Sequence, residues 1–268
     1  MTGAPVAMLG AIRRWRRGRI LRRSALDDRE WHAVLERYPF TRALSPEERA
    51  RLREWVILFL HEKSIVGASG LVLRDEMRTC IAAQACMPIL NLDLSYYRGW
   101  VEVIVYPDEF VAEYDYVDED GIAHHVEAPM TGESWLEGPV ILSWADAELR
   151  GGDPGYNVVI HEFAHKIDML NGDANGFPPL HPSMDRAVWP RVFGAAYEDF
   201  RARVARGDAS AIDPYAAEHP AEFFAVLSEA FFETPAAVRA EYGEVYRQLA
   251  TFYRQDPALR QEGRGRQP

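Results

Sequence analysis

The stretch that decides both the fold and the chemistry is NVVIHEFAHKIDMLNG, from Asn157 to Gly172. It places two histidines four residues apart, with a glutamate directly after the first. An apolar run leads into this pattern, and apolar residues at helical spacing continue through it. The stretch therefore predicts a buried helix that carries His161, Glu162 and His165.

Residues four apart on an α-helix lie on one face, about one turn from each other. The imidazoles of His161 and His165 can therefore point at a single ion. Glu162 is offset from His161 by about 100° of helix rotation, which directs its carboxylate at a water bound to the ion rather than at the ion itself. Zinc lowers the pKa of such a water to about 7, so that a carboxylate can take its proton. The H-E-x-x-H pattern thus predicts zinc-dependent hydrolysis.

A third protein ligand is needed, and the residues after the second histidine do not supply it. A metzincin would have Gly at position 168 and His at position 171, but this chain has Asp168 and Asn171. That class of metallopeptidase is excluded. Asp168 shares the face of the two histidines and is expected to accept a hydrogen bond from an imidazole N–H.

The candidates for the third ligand lie downstream, in DPYAAEHPAEFFAVLSEAFFE. Glu218, Glu222 and Glu229 fall on roughly one face of a largely apolar helix. A carboxylate buried in such a helix needs a partner, and a cation is one. Spacing alone does not choose between Glu222 and Glu229, whereas a solvated edge is the simpler interpretation for Glu218 and Glu233.

The rest of the chain predicts one large domain with short extensions. The length of 268 residues and the 48% hydrophobic content are sufficient for a sizeable core. We expect a basic N-terminal arm over residues 1–25, a single catalytic domain over residues 26–258, and a flexible tail over residues 259–268. Within the domain, residues 26–95 form a helical part and residues 96–258 form the part that holds the metal site.

Local signals fix several elements. Ser45, followed by Pro46 and Glu48, predicts a helix that starts with a capping box. WVEVIVYPDEF and GPVILSW are rich in Val and Ile and predict strands, and the acidic segment between them, with Asp-Gly at its tip, predicts a hairpin or loop. Helices, few strands and again helices indicate an α+β fold, mostly helical, with a small mixed or antiparallel sheet.

Composition limits the partners. The net charge of −11 and the pI of about 5.3 argue against specific nucleic-acid binding. No apolar run is long enough for a membrane span, and no secretory signal is present, so we expect a cytoplasmic protein. Two isolated cysteines are expected to be buried thiols. A solvated face is the simplest interpretation of the basic arm, although it could contact anionic lipid, nucleic acid or an acidic face of the protein.

Several segments together resemble the Mlc titration factor A family, the glucose-regulated zinc metallopeptidases of bacteria. The resemblance extends from about Trp31 to Pro257. The segments that carry it, besides the two already quoted around the histidines and the glutamates, are FLHEKSIVGASGL, IAAQACMPIL, VEVIVYP, GPVILSW and YRQLATFYRQDP. Taken together, these segments are highly specific.

The resemblance implies a zincin-like catalytic core of the glutamate-zincin type. It implies that one Zn²⁺ is held by His161, His165 and Glu222, and that Glu162 is the general base. It also implies that the phenol of Tyr215, seven residues before Glu222, donates a hydrogen bond to the oxyanion of the tetrahedral intermediate. The implied activity is peptidase activity on short, aminopeptidase-type peptide substrates, and the implied partner is a transcriptional repressor of the Mlc type.

Two functions are therefore open at this point. The first is a zinc peptidase in which the substrate lies along GPVILSW as an edge strand. The second is a binding module that sequesters a transcription regulator, in which the zinc site is secondary. A purely structural zinc site is disfavoured because its fourth position would be filled by protein; Glu229 could take that position, so this alternative stays open.

Overall fold

A computed structural model describes residues 14–117, 123–130, 132–134, 138–148 and 155–264. Apart from one short strand between the fourth and fifth helices, the helices and strands in these ranges follow the order predicted from the sequence, helices first, then strands, then helices. The helices are α1 (14–23), α2 (Asp28–Arg37), α3 (Pro39–Arg42), α4 (Pro46–Glu62), α5 (Asp75–Cys86), α6 (Trp144–Glu148), α7 (Val158–Asp168), α8 (Val188–Arg206), α9 (Pro220–Glu233), α10 (Pro235–Glu241), α11 (Gly243–Tyr253) and α12 (Pro257–Arg264). The α+β class, mostly helical, is confirmed.

The strands form two separate sheets. They are β1 (Ser64–Gly67), β2 (Glu102–Tyr106), β3 (Phe110–Val117), β4 (Ala123–Met130), β5 (Gly132–Ser134) and β6 (Val140–Ser143). The larger sheet has the order β1-β2-β6-β5, and β3 pairs with β4 as an antiparallel hairpin. The hairpin predicted around the acidic segment is thus present, although residues 118–122 at its tip lie outside the described residues.

The direction of the strands corrects the sequence-based expectation. In the larger sheet, β1, β2 and β6 are parallel, and only the short β5 runs antiparallel to its neighbour β6. The antiparallel expectation is therefore wrong for the three strands that form most of this sheet, whereas the antiparallel pairing of β5 makes the four-stranded sheet as a whole mixed. GPVILSW contains β6, which has a partner on each side, so the expectation that this segment is an edge strand is also wrong.

The helix predicted from its capping box begins where expected. The Ser45 side chain accepts a hydrogen bond from the backbone N–H of Glu48, and the Glu48 carboxylate accepts one from the backbone N–H of Ser45. Pro46 occupies the first turn, where its missing N–H costs no hydrogen bond. Helix α4 buries Leu52 and Phe59 in the core.

Helix α7 lies in the centre of the core. The Phe163 ring contacts the rings of Phe59, Tyr97 and Trp100, with centroid distances of 5.6, 4.9 and 5.6 Å. This aromatic cluster joins α4 and the segment before β2 to one face of α7. The other face of α7 packs against α9. Burial of α7 on both sides fixes the directions in which its polar side chains can point.

Helix α9 is buried along almost its whole length. The Phe224 ring packs against Trp189 of α8 and Phe252 of α11, with centroid distances of 6.0 and 6.4 Å. Phe231 packs against Tyr253, also of α11, at 5.8 Å. Helices α8 and α11 therefore hold α9 against α7, and this contact brings distant parts of the sequence together.

The ends of the described chain are helical. Residues 14–23 of the predicted arm form α1, and α12 covers the start of the predicted tail. The division into arm, domain and tail stays a prediction. Among the described residues, no helix combines the length and the apolar character that a bilayer span requires.

Candidate metal centre

The start of α7 is fixed by its N-cap residue. The Asn157 side-chain oxygen accepts a hydrogen bond from the backbone N–H of Ile160 at 2.9 Å, as a capping residue does. The helix then presents His161 and His165 one turn apart, with their ring centroids 4.7 Å from each other. The local sequence thus places two imidazoles on one face, as the motif predicts.

Helix α9 supplies a carboxylate opposite the two imidazoles. The Nε2 atoms of His161 and His165 are 3.1 Å apart. An Oε2 atom of Glu222 lies 3.0 Å from the first and 3.2 Å from the second. Among the described His, Cys, Asp and Glu residues, His161, His165 and Glu222 form the group whose ligand atoms lie close enough together to hold a metal ion.

The triangle formed by these three atoms fits a tetrahedral metal ion. Metal–ligand distances of about 2.0–2.1 Å in tetrahedral geometry separate the ligand atoms by about 3.3 Å, close to the separations observed here. The set of two imidazole nitrogens and one carboxylate oxygen suits zinc. The residues present therefore fit a zinc ion.

A second carboxylate lies behind the first histidine. Glu229 is buried, 3% exposed, and its Oε1 atom lies 2.6 Å from Nδ1 of His161. An imidazole that donates its Nδ1–H to a carboxylate presents the lone pair of Nε2 on the opposite side of the ring. The Glu229 carboxylate thus orients His161 towards the centre of the triangle.

Glu229 is in turn held by the residue that caps α7. The other carboxylate oxygen of Glu229 accepts a hydrogen bond from the backbone N–H of Asn157 at 2.6 Å. The Asn157 amide donates to Gln84 of α5 at 3.0 Å and to Glu233 at 2.8 Å. Both oxygens of Glu229 therefore form hydrogen bonds outside the triangle. Of the two glutamates that spacing left open, Glu222 is the one that lies next to the Nε2 atoms of both histidines.

Burial and charge act against each other in this cluster. Burial alone would lower the pKa of His161, but the carboxylates of Glu229 and Glu222 outweigh it and raise that pKa well above its usual value. Burial alone would raise the pKa of Glu222, but hydrogen bonds from the two imidazoles lower it. Burial raises the pKa of Glu233 to about 7, and the nearby charge of Glu229 adds to this shift. Glu233 is half-buried and hydrogen-bonded, so the expectation of a solvated edge is wrong for this residue.

Asp168 has a different role from the one expected. Its Oδ2 atom accepts hydrogen bonds from the backbone N–H groups of Asn175 and Gly176, both at 2.7 Å. In the described part of the chain, neither its Oδ1 atom nor Nδ1 of His165 has a hydrogen-bond partner. The expected hydrogen bond between Asp168 and an imidazole is therefore not formed, and Asp168 instead holds the loop that follows α7.

This loop contacts the start of α9. Gly176 has a φ of 76°, and a Cβ atom at this position would lie 2.5 Å from the carbonyl oxygen of Pro220. Only glycine fits both this conformation and this close approach. Pro220 is two residues before Glu222, so Asp168, through the loop, contributes to the position of the carboxylate in the triangle.

Glu162 lies beside the triangle, under the short strand β5. Its side chain is buried, and the residue is 4% exposed. A Cβ atom on Gly132 of β5 would lie 2.5 Å from Oε1 of Glu162 and 2.8 Å from Cγ2 of Val158. The backbone of β5 therefore passes directly over the general base implied by the family resemblance, and the absence of a side chain at Gly132 makes this possible.

Tyr215 lies at the open side of the site. It belongs to a 3₁₀ turn, Pro214–Ala217, that Asp213 caps by accepting a hydrogen bond from the backbone N–H of Tyr215. The ring centroid of Tyr215 is 6.1 Å from that of His161, and the residue is 44% exposed. The turn thus places the Tyr215 ring next to the first histidine, in a residue that is partly exposed to solvent.

The three residues of the triangle were predicted from the sequence, but some of the contacts that hold them in place were not. The sequence did not predict the hydrogen bonds that join Glu229 to His161 and to the backbone of Asn157. It also did not predict the close approach of Gly132 to Glu162. One signal was available for Glu229, because a residue seven positions after Glu222 returns to the same helical face two turns later. No signal in the sequence connects Gly132 with Glu162, since the contact depends on the path of β5.

Comparison with known proteins defines the class to which this chain belongs. A family model described as glucose-regulated metallo-peptidase M90 matches residues 12–254. The chain therefore belongs to the glucose-regulated metallo-peptidase M90 family, and this membership indicates a metallopeptidase.

Individual relatives extend the similarity over most of the chain. Mlc titration factor A of Escherichia fergusonii is 36% identical over 236 residues, which cover 87% of this chain and 89% of that protein. Mlc titration factor A of Yersinia enterocolitica is 37% identical over 234 residues, 86% of this chain and 87% of that protein. An uncharacterized protein of Synechocystis is 36% identical over 233 residues, 85% of each chain. The resemblance to the Mlc titration factor A family is thus confirmed.

The contact between Glu229 and His161 leads to a prediction about metal affinity. We expect Glu229→Gln to weaken zinc binding about 10–100-fold, because the neutral amide no longer raises the basicity of the imidazole and cannot accept the Asn157 hydrogen bond equally well. Competition with a chromogenic chelator measures this affinity. Glu218→Gln, an exposed change in the same region, is the matched control and should leave the affinity unaltered. Equal affinities for the two variants, with equal melting temperatures, would contradict the role of Glu229.

Proposed function

We propose that this protein is a zinc-dependent peptidase that hydrolyses short peptides, in the manner of an aminopeptidase. His161, His165 and Glu222 hold one zinc ion in a zincin-like core of the glutamate-zincin type. The observation that carries the proposal is the set of three ligand atoms within 3.0–3.2 Å of one another at the contact between α7 and α9. Membership in a metallopeptidase family supports it.

When bound, the zinc ion supplies Lewis-acid chemistry: it polarises the scissile carbonyl and acidifies a water molecule. In this proposal, Glu162 transfers the proton. Its carboxylate accepts a proton from the attacking water and then delivers that proton to the leaving amine. The burial of Glu162 beneath Gly132 keeps its carboxylate in one place, which favours transfer in both directions.

Tyr215 is proposed to stabilise the oxyanion that forms on the substrate. A phenol remains protonated at neutral pH and can donate a hydrogen bond to a developing negative charge. The location of Tyr215 next to His161, on an exposed turn, supports this role because a substrate carbonyl at the triangle would be within reach of the turn.

The peptide substrate is proposed to lie along β5 rather than along β6. Of the strands that the structure describes in the larger sheet, β5 is the last in the order, next to β6 and above Glu162. An extended peptide can add to such a strand through backbone hydrogen bonds. This placement would carry the scissile bond past the general base.

Glu162→Gln tests the assignment of the general base. We expect the variant to retain zinc, because Glu162 is not one of the three ligands, and to lose about 10²–10⁴-fold in turnover, because the amide cannot accept the proton. Zinc content by atomic absorption and hydrolysis of a panel of short chromogenic peptides are measured together. Turnover close to that of the unaltered protein, on a peptide that the latter cleaves, would refute the assignment. Glu218→Gln again serves as the control with the same chemical change at an exposed position.

Tyr215→Phe tests the assignment of the oxyanion donor. The substitution removes one hydroxyl and keeps the ring beside His161, so we expect zinc content to stay the same while turnover falls about 10²–10³-fold. The effect should lie in kcat more than in KM, since the hydrogen bond strengthens as the negative charge develops. Loss of zinc instead would mean that Tyr215 supports the site structurally.

A second function is favoured by the name of the relatives. Mlc titration factor A is described by that name as titrating Mlc, and a repressor of the Mlc type is proposed as a binding partner of this chain as well. A pull-down of purified Mlc-type repressor by the unaltered protein and by Glu162→Gln separates the two functions. Equal capture by both, together with no cleavage of any peptide in the panel, would make binding the function and zinc chemistry secondary.

A further inference from the structure

The exposed face of α1 has an unusual composition. Six residues of this helix are exposed, and five of them are arginines while the sixth is Trp15. The arginines are Arg14, Arg16, Arg19, Arg22 and Arg23. Seven of the 30 basic residues of the chain precede Asp27, and none of its 41 acidic residues does. This helix of an acidic protein thus carries several basic residues and no acidic one.

The opposite face of α1 fixes the helix on the body of the protein. Arg17 forms an ion pair with Asp93 at 2.9 Å, and its guanidinium lies 5.0 Å from the centre of the Trp55 ring. Ile20 and Leu21 are half-buried against the hydrophobic core. These contacts hold α1 in a defined orientation, so its arginine-rich face points outward as a fixed surface.

In the described part of the chain, arginines on this face have no acidic partner. Across the ranges that the structure describes, no carboxylate lies within ion-pair distance of Arg16, Arg19 or Arg23, whereas Arg17 on the opposite face is paired. Arg16, Arg19 and Arg23, together with Trp15 and His61, line a groove of about 340 Å³. Several unpaired guanidinium groups around one groove favour an anionic partner.

Trp15 indicates which anionic partner fits. It is 58% exposed, and the guanidinium of Arg19 lies 5.6 Å from the centre of its ring. Exposed tryptophan beside arginine is typical of helices that lie in the interface of a bilayer, where the indole is partly buried and the guanidinium groups meet the phosphates.

We propose that the exposed face of α1 binds the surface of an anionic lipid bilayer. The arginines contact lipid phosphates, and Trp15 enters the interfacial layer. A bilayer is favoured over nucleic acid for two reasons. A helix of ten residues is only about 15 Å long and reaches few phosphates of a duplex. The remainder of the chain carries a large excess of acidic residues and would repel a long polyanion that extends past α1, whereas a bilayer contacts one face of the molecule.

Sedimentation with vesicles tests this proposal on the full-length chain. Vesicles of equal parts phosphatidylglycerol and phosphatidylcholine should bind the protein at least about tenfold more tightly than vesicles of phosphatidylcholine alone, because each basic residue near an anionic surface contributes to affinity. The difference should shrink as salt is added. Trp15→Ala should weaken binding to the anionic vesicles while leaving its salt dependence unchanged.

A pair of matched variants separates this surface from net charge. Replacement of Arg16, Arg19 and Arg23 by Gln should reduce binding at least about tenfold. Replacement of Arg191, Arg201 and Arg247 by Gln changes the net charge equally on exposed sites of α8 and α11 and should leave binding within about twofold. Measurements of melting temperature and zinc content verify that both variants are folded.

Three results would overturn the proposal. The first is an unaltered protein that does not bind anionic vesicles at moderate salt. The second is an equal loss of binding in both triple variants, which would indicate an effect of net charge alone. The third is tighter binding to duplex DNA than to anionic vesicles, with the same dependence on Arg16, Arg19 and Arg23, which would assign the surface to nucleic acid.

Discussion

The packing of α7 against α9 is the constraint on which the rest of the site depends. It forces two imidazole nitrogens and a carboxylate oxygen to within 3.0–3.2 Å of one another in a largely buried place. Polar groups brought together away from water are costly unless a partner satisfies them, and a cation satisfies all three at once. The apolar faces of α8 and α11 fix this packing from outside, so the hydrophobic core also positions the candidate metal centre.

Hydrogen bonds outside the triangle determine how accurately it is built. Glu229 links His161 to the backbone of Asn157, which also caps α7, so Asn157 contributes to both the start of the helix and the orientation of His161. Asp168 links the end of α7 to the loop that contacts Pro220 at the start of α9. Both ends of the helix that carries the histidines are thus tied to the helix that carries Glu222. Such ties limit the movement of ligands and favour a preorganised site.

The proposed metal site and the proposed lipid-binding surface lie on different elements and differ in charge. The candidate metal centre contains Glu222 and has Glu162 and Glu229 beside it, whereas α1 exposes arginines. Because α1 is attached through Arg17 and its half-buried apolar residues rather than through the elements of the metal centre, its exposed face can change without altering the site. Because the rest of the molecule is acidic, the basic face of α1 is the part that an anionic bilayer would attract.

Local spacing determined what could be read directly from the chain. The histidines four residues apart, the capping box at Ser45 and the apolar run of α9 depend on contacts between near neighbours, and each was predicted from the residues. Tertiary structure decided the rest: the parallel direction of β1, β2 and β6, the passage of β5 over Glu162, the choice of Glu222 over Glu229, and the turn of Asp168 towards its loop. Each of these depends on which distant segments meet, and a periodic pattern records which face of an element is buried but not what covers it.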